Sequence, residues 1–247
     1  VIPAYNEAQR ISNTLHKILA YLAQQAYTAE IIVVDDGSQD ATAQIVASFS
    51  RHIAPVFLLQ NGQNRGKGFS VRHGFLHTRG AYLLFSDADL STPIEEVEKL
   101  FEALSEPCDI AIASRAMPDS RVERHQPWYR ENMGRLFNVL VRALGLSEMR
   151  DTQCGFKCFT REAALEICHR MTRKRFGFDV EMLYLARKLG YRVREVPVVW
   201  HNSPHSRVHA LRDSVSMAGD LLQIRWNDLC GRYGRRLQRT PESHPVS

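Results

Sequence analysis

An α/β fold with a doubly wound, mostly parallel central sheet flanked by helices is predicted by two features of residues 1–120. Short apolar runs of strand character alternate with longer amphipathic stretches, a pattern that demands a parallel sheet with crossover helices. Each apolar run also ends in a polar loop, and open α/β sheets take their ligands beyond such strand ends. The pattern is clearest at Leu83-Leu84-Phe85-Ser86-Asp87-Ala88-Asp89, where a buried strand delivers two carboxylates one residue apart.

Taken in order, Val1-Ile2 is the stub of a strand broken by Pro3, and a start inside a strand leads us to expect a preceding segment. From Glu7 a helix carries Ile11, Leu15, Ile18, Leu19 and Leu22 on one stripe. Ile31-Ile32-Val33-Val34 is the second strand and ends in Asp35-Asp36-Gly37-Ser38. A helix with Ala43, Ile45, Val46 and Phe49 follows. Val56–Leu59 is the third strand, followed by the glycine-rich stretch 61–68 and a helix to about Thr78. The fourth strand spans 81–86, and Pro93 opens a helix with Glu95 and Glu96 in its favoured first turn. Ile110–Ala113 is the fifth strand and ends at Ser114-Arg115.

The second half is less regular. A polar loop is expected over 115–129, a basic amphipathic helix over 130–145, and a strand or turn over 151–159. Helices from Arg161 and around 179–189, a strand at 192–199 and a last helix from about 210 complete it. One domain over 1–230 is expected, in halves 1–120 and 121–230, with a basic polar tail at 231–247.

Charge separates the halves. Residues 1–120 hold 9 Lys/Arg against 14 Asp/Glu, whereas residues 121–247 hold 23 against 13. The split points to an anionic partner for the second half, nucleic acid, phosphate or a membrane surface, against the plainer reading of a soluble basic face with no partner. No nucleic-acid recognition module is recognisable, so nucleic acid is not an expected partner. Five scattered cysteines, an odd number, do not form a disulfide framework and suit a reducing, cytoplasmic compartment. Cys154 and Cys158 have no second metal-ligating pair and read as packing residues. His201, His205 and His209 stand four apart, but Pro204 interrupts the helix that such a metal site needs. They are assigned to a loop near phosphates, with Ser206 and Arg207 as its contacts.

Several strand ends offer groups that a nucleotide could use: Pro3-Ala4-Tyr5-Asn6-Glu7, Asp35-Asp36, the loop Asn61–Gly68 with Lys67 at a helix N-terminus, and Asp87-Ala88-Asp89. Each alone has a plainer reading, with Asp36 as a turn residue, Lys67 as a solvated charge and the paired acids as a solvated turn. Two neighbouring carboxylates resist desolvation without a cation, and a magnesium ion shared with a diphosphate fits them. Two familiar phosphate loops do not fit. Gly62 and Gly66-Lys67 are too close for a P-loop, and Gly66-Lys67-Gly68 lacks the third glycine of a dinucleotide fingerprint.

The ordered set V-I-P-A-Y-N-E, V-V-D-D-G-S-Q-D, N-R-G-K-G and D-A-D resembles the family-2 glycosyltransferases of GT-A fold. D-T-Q-C-G-F-K-C-F, F-G-F-D-V-E-M-L-Y-L-A and V-P-V-V-W resemble the dolichyl-phosphate β-glucosyltransferase branch, and the likeness extends to about Trp226. The resemblance implies an inverting, metal-dependent transfer of glucose from UDP-glucose to a polyprenyl phosphate. GDP-mannose as donor, a polysaccharide or glycolipid hydroxyl as acceptor, and a non-catalytic nucleotide-sugar-binding module remain alternatives.

By the same resemblance, Pro3, Ala4, Tyr5 and Glu7 line the base and ribose pocket, Asp36 binds uracil or ribose, and Lys67 lies near the phosphates. Asp87 holds the ribose or donor sugar, and Asp89 holds Mg2+ or Mn2+. Relatives place a further ligand where this chain has Ser91. Ser114 and Arg115 belong to the nucleotide-sugar site, with Arg115 reaching toward phosphate. Asp151 and Gln153 fall at the sugar and acceptor site, and Asp179 at the catalytic-base position. The nucleotide sugar would occupy the first half and the acceptor the second. The expected location is the cytoplasm, with peripheral attachment to the cytoplasmic face of a membrane. Arg121, Arg124, Arg130, Arg135 and Arg142 around Trp128, Tyr129 and the 130–145 helix suit an anionic lipid surface, against the alternative of a packed helix with a solvated basic face.

Overall fold

The computed structural model describes residues 1–49, 55–122, 141, 146, 148–201 and 210–234, of which 210–218 by backbone alone. The strands in chain order are β1 (Ile2–Ala4), β2 (Ile31–Asp35), β3 (Val56–Gln60), β4 (Tyr82–Ser86), β5 (Ile110–Ser114), β6 (Arg121–Val122), β7 (Phe156–Thr160), β8 (Val193–Pro197) and β9 (Val199–Trp200). The helices are α1 (Ile11–Leu22), α2 (Thr42–Ser48), α3 (Lys67–Phe75), α4 (Val97–Ser105), α5 (Arg161–Arg170), α6 (Phe178–Leu189) and α7 (Ala210–Leu229), with a 3-10 turn at Ile94–Glu96 leading into α4.

β1, β2 and β3 pair in parallel, and β4, β7, β5 and β8 form a second run in that order. Val1 joins the two runs, because its amino group donates to Leu84 O at 2.7 Å and its carbonyl accepts from Ser86 N at 3.0 Å. The alternation of side chains along each strand serves two cores. Ile110 and Ile112 of β5 pack with α3, α5 and α6, whereas Ala111 and Ala113 pack with α1 and α4. Helices thus cover both faces, as the alternating pattern predicts.

Three details depart from expectation, the smallest being β6, a short strand within 115–129 that pairs with β9. Pro3 does not break β1 but lies inside it, opposite Val34. Val1 bonds β4 and Ala4 O accepts from Asp36 N, so Pro3 falls on the β4 side, next to where β4 ends, and its missing N–H costs the sheet little. The stretch 151–159, left open between strand and turn, yields β7, and β7 runs antiparallel to both β4 and β5. Inserted there, it brings the second half of the chain into the middle of the sheet.

Candidate active site

The strand ends on one side of the sheet are laced together before any ligand is considered. Beyond β1, Asn6 adopts φ 53° and donates its N–H to Ser38 Oγ, while Glu7 N donates to Thr42 Oγ1 and Gln39 N to Asn6 Oδ1. Asp36 is buried and accepts three hydrogen bonds: Asn61 Nδ2 (2.8 Å) and Arg65 N (2.9 Å) on Oδ1, Gly66 N (2.8 Å) on Oδ2. Phe69 N donates to Lys174 O. Two N–H groups of the glycine-rich loop and that of Phe69 just past it are therefore taken by the protein, while the Lys67 side chain reaches the site. Gly66, at φ 98°, lies so close to Lys174 O that only glycine fits.

The paired acids sit on a tight turn. Leu90 N donates to Asp87 O, Leu90 takes φ 46°, and Ala88 O accepts from the buried Thr14 hydroxyl of α1 at 2.6 Å. Asp87 rests on Gly155, whose carbonyl accepts Asp87 N, and a Cβ at Gly155 would fall inside the Asp87 carboxylate. Asp87 Oδ1 pairs with Lys67 Nζ at 2.6 Å. Asp89 accepts Ser91 N on Oδ1 and faces Arg10 Nη1 at 3.8 Å, and Arg10 is itself ion-paired with Glu7. Both acids remain partly exposed, Asp87 by 33% and Asp89 by 21%. Burial alone would lower the Lys67 pKa, but Asp87 and Asp179 outweigh it and raise it, so the ammonium stays charged.

A second lysine lies deeper. Lys157 of β7 is fully buried and donates to Asp179 Oδ1 at 2.5 Å and to Cys154 O at 2.6 Å. Its ammonium stands 5.6 Å from the centre of the Phe85 ring, and that of Lys67 stands 5.1 Å from the same ring. Burial raises the Asp179 carboxyl above its usual range, and Lys157 and Lys67 offset this only in part. Asp179 lies in the first turn of α6, and Glu181, two residues on, is buried and accepts from Thr172 N, Arg173 N and Tyr233 Oη, which holds the loop before α6.

At the end of β5, Arg115 grips Asp151 through Nε (2.6 Å), Nη2 (2.8 Å) and its backbone N–H (2.9 Å). Burial would push the Asp151 carboxyl up, but the guanidinium and its hydrogen bonds win and hold it at about 2. The Arg115 guanidinium also covers Trp200 at 5.3 Å. Around this clamp, Ser114 Oγ, Thr152 Oγ1 and Gln153 Nε2 are buried without a hydrogen-bond partner among the described residues. Such orphans are costly in a closed protein and suit a site that completes itself with a ligand or water.

The structure thus brings Glu7, Lys67, Asp87 and Asp89 into one linked cluster, and Lys157 with Asp179 lies beneath it. Arg115, Asp151 and Gln153 form a neighbouring group. Pro3 and Ala4 are strand residues of β1, and Tyr5 is half-buried at its end. Ser206, Arg207, His205 and His209, and the basic helix at 130–145 apart from Val141, lie outside the described residues. His201 N, at the last described position before that loop, donates to Ser91 O at 2.7 Å. Cys154 and Cys158 are buried free thiols, as packing residues should be. Three contributors went unread: Arg10, Gly155 and Lys157. Lys157 left one signal, a lysine among the apolar residues of Phe156–Phe159.

Carboxylates and lysines thus gather beyond the strand ends of a sheet wound on both faces, the place where open α/β folds take their ligands. The Glycosyl transferase family 2 model matches residues 1–168, and the chain belongs to that family. It is 37% identical to the dolichyl-phosphate β-glucosyltransferase of Saccharomyces cerevisiae, with 94% of this chain and 75% of that one covered. The dolichyl-phosphate β-glucosyltransferase of Homo sapiens is 36% identical over 97% of this chain and 78% of its own. Among solved structures, glucosyl-3-phosphoglycerate synthase from Mycobacterium tuberculosis bound to UDP superposes with a TM-score of 0.66 at 19% identity, over 95% of this chain and 79% of that one. Mannosyl-3-phosphoglycerate synthase from Rubrobacter xylanophilus gives 0.61 at 20%, over 98% and 77%. These likenesses establish the GT-A fold. The mycobacterial enzyme has also been crystallised with Mn2+.

Proposed function

We propose that the chain transfers glucose from UDP-glucose to a polyprenyl phosphate of dolichyl type, with inversion at the sugar. The observation that carries the reading is the pairing of a partly exposed Asp87–Lys67–Asp89 cluster with the buried Lys157–Asp179 pair beside it. Relatives that share over a third of their residues along most of the chain bear the name dolichyl-phosphate β-glucosyltransferase.

In this reading the acceptor phosphate oxygen attacks the anomeric carbon of glucose, the bond from that carbon to the diphosphate breaks, and its electron pair leaves on UDP. Displacement from the opposite face turns an α-linked donor into a β-linked product. The lipid phosphate is already anionic, so no proton need be removed from it. Asp179 and Asp151 then serve to orient groups. Lys157 cancels the charge of Asp179, which lets an anionic acceptor approach a carboxylate that would otherwise repel it. Lys67 supplies fixed positive charge near the leaving diphosphate. Gln153 Nε2, a buried donor without a partner among the described residues, suits a sugar or phosphate oxygen.

A divalent ion fits the donor end. No group of three or more His, Cys, Asp or Glu stands ready to hold a metal among the described residues. The oxygens of Asp89, with Asp87 close by, nevertheless match a hard cation that takes its other ligands from diphosphate and water. Bound there, Mg2+ or Mn2+ would neutralise charge on the leaving group. Ser91 gives its N–H to Asp89, so its contribution is to orient that carboxylate.

The test is a donor panel with polyprenyl phosphate. UDP-glucose should give glucosylated lipid, and EDTA should abolish the reaction. Transfer from GDP-mannose and none from UDP-glucose would overturn the donor assignment. UDP release without any transferred sugar would overturn the acceptor.

A further inference from the structure

We infer that the outward face of α7 is a docking surface for an anionic lipid bilayer. Residues Leu221, Ile224 and Asn227 turn inward, and Leu222, Trp226 and Leu229 turn to solvent with 75%, 60% and 73% of their surface exposed. At 100° per residue these three fall within one narrow arc, so they form a continuous apolar stripe about two turns long. A solvent-facing helix normally carries its polar residues there.

Charge chooses the occupant. Asp220 and Asp228, the two carboxylates of 219–234, are both drawn into ion pairs, with Arg173 at 3.4 Å and with Lys188. Tyr184 Oη donates a further hydrogen bond to Asp228 at 2.5 Å. What remains beside the stripe is cationic: Arg225 next to Trp226, and Arg232 just past the helix, each exposed. The sequence continues with Arg235, Arg236 and Arg239. A tryptophan between leucines, flanked by arginines, matches the boundary between acyl chains and anionic headgroups. A second copy of the chain would bring like charges together.

No helix among the described residues is long and apolar enough to cross a membrane. The stripe gives a way to lie on one. Asp220 also packs against Gly177 at the start of α6, so the stripe begins beside the helix that carries Asp179. The choice of a lipid occupant rests on the reading of a lipid-borne acceptor, but the docking itself is measured without that acceptor.

The experiment is flotation of the chain with phosphatidylcholine vesicles, with and without phosphatidylserine. The chain should float with the anionic vesicles. The triple variant Leu222→Ser, Trp226→Ser, Leu229→Ser should bind at least about tenfold more weakly. Arg225→Gln should weaken binding about fivefold and make it less sensitive to salt. The stripe variant should keep its circular dichroism and its turnover of a short-chain, water-soluble polyprenyl phosphate. Unchanged flotation of the stripe variant would overturn the proposal. So would a wild-type chain that ignores the vesicles and sediments as a dimer that the stripe variant abolishes.

Discussion

Lys67 and Lys157 approach the same Phe85 ring and each pairs with an aspartate, yet their surroundings differ. Lys67 and Asp87 keep 25% and 33% of their side-chain surface exposed, whereas Lys157 and Asp179 keep 0% and 4%. An exposed pair can part and receive a ligand at small cost, because water solvates each partner. A buried pair cannot part without stranding a charge. In the proposed function the first pair therefore takes part in binding and turnover, and the second forms the floor beneath it.

The comparison is broken most severely on the exposed side. Asp89→Ala should lower kcat about a thousandfold, measured as glucose transfer at saturating donor, with little change in the melting temperature. On the buried side the same size of effect should move to stability. Lys157→Met strands Asp179 and should cost about 3–5 kcal/mol in urea unfolding. Adding Asp179→Asn should return most of that loss, since the stranded charge is then gone. A milder break comes at Gly155, which touches the exposed pair from below. Gly155→Ala would push the Asp87 carboxylate off its seat and should lower kcat/KM roughly thirtyfold, with UDP-glucose KM rising. Recovery of activity by a smaller residue at 155 is impossible, so the assay is a direct one.

The smallest effect sharpens the comparison with a third pair. Asp151, held by Arg115, has its carboxyl depressed to about 2 from an ordinary 3.8. A depressed carboxyl stabilises the fold fully above its unfolded value and loses that contribution as the pH falls through its folded value. Arg115 with Asp151 should therefore contribute at most about 2 kcal/mol above pH ~4, disappearing toward pH ~2. Acid titration of stability for wild type against Asp151→Asn checks this: the variant should show a flatter curve in that window.

The strands and helices of the first half were legible because apolar runs and amphipathic stretches have different periods. The loop acids Asp87 and Asp89 were legible because they end a buried strand. What stayed hidden depends on contacts distant in sequence. Nothing local to Phe156–Thr160 says that this strand will run against its neighbours, since direction is decided by which strands flank it. Lys157 announced itself as a charge among apolar residues, but its partner lies on α6. Asp36 reads from sequence as a turn residue or an acceptor for uracil or ribose, and the fold shows its oxygens holding Asn61, Arg65 and Gly66 in place.

β7 has a mechanical consequence. Gly155, just before it, seats Asp87, and Lys157, two residues on, carries Asp179. In the proposed reaction both ends are thus tied to a single strand, itself clamped between β4 and β5. A rigid shift of that strand would displace the two ends in step. On the proposed function, the gap between leaving group and incoming oxygen would be set by the sheet, and admission of a bulky acceptor would depend on the loops around it.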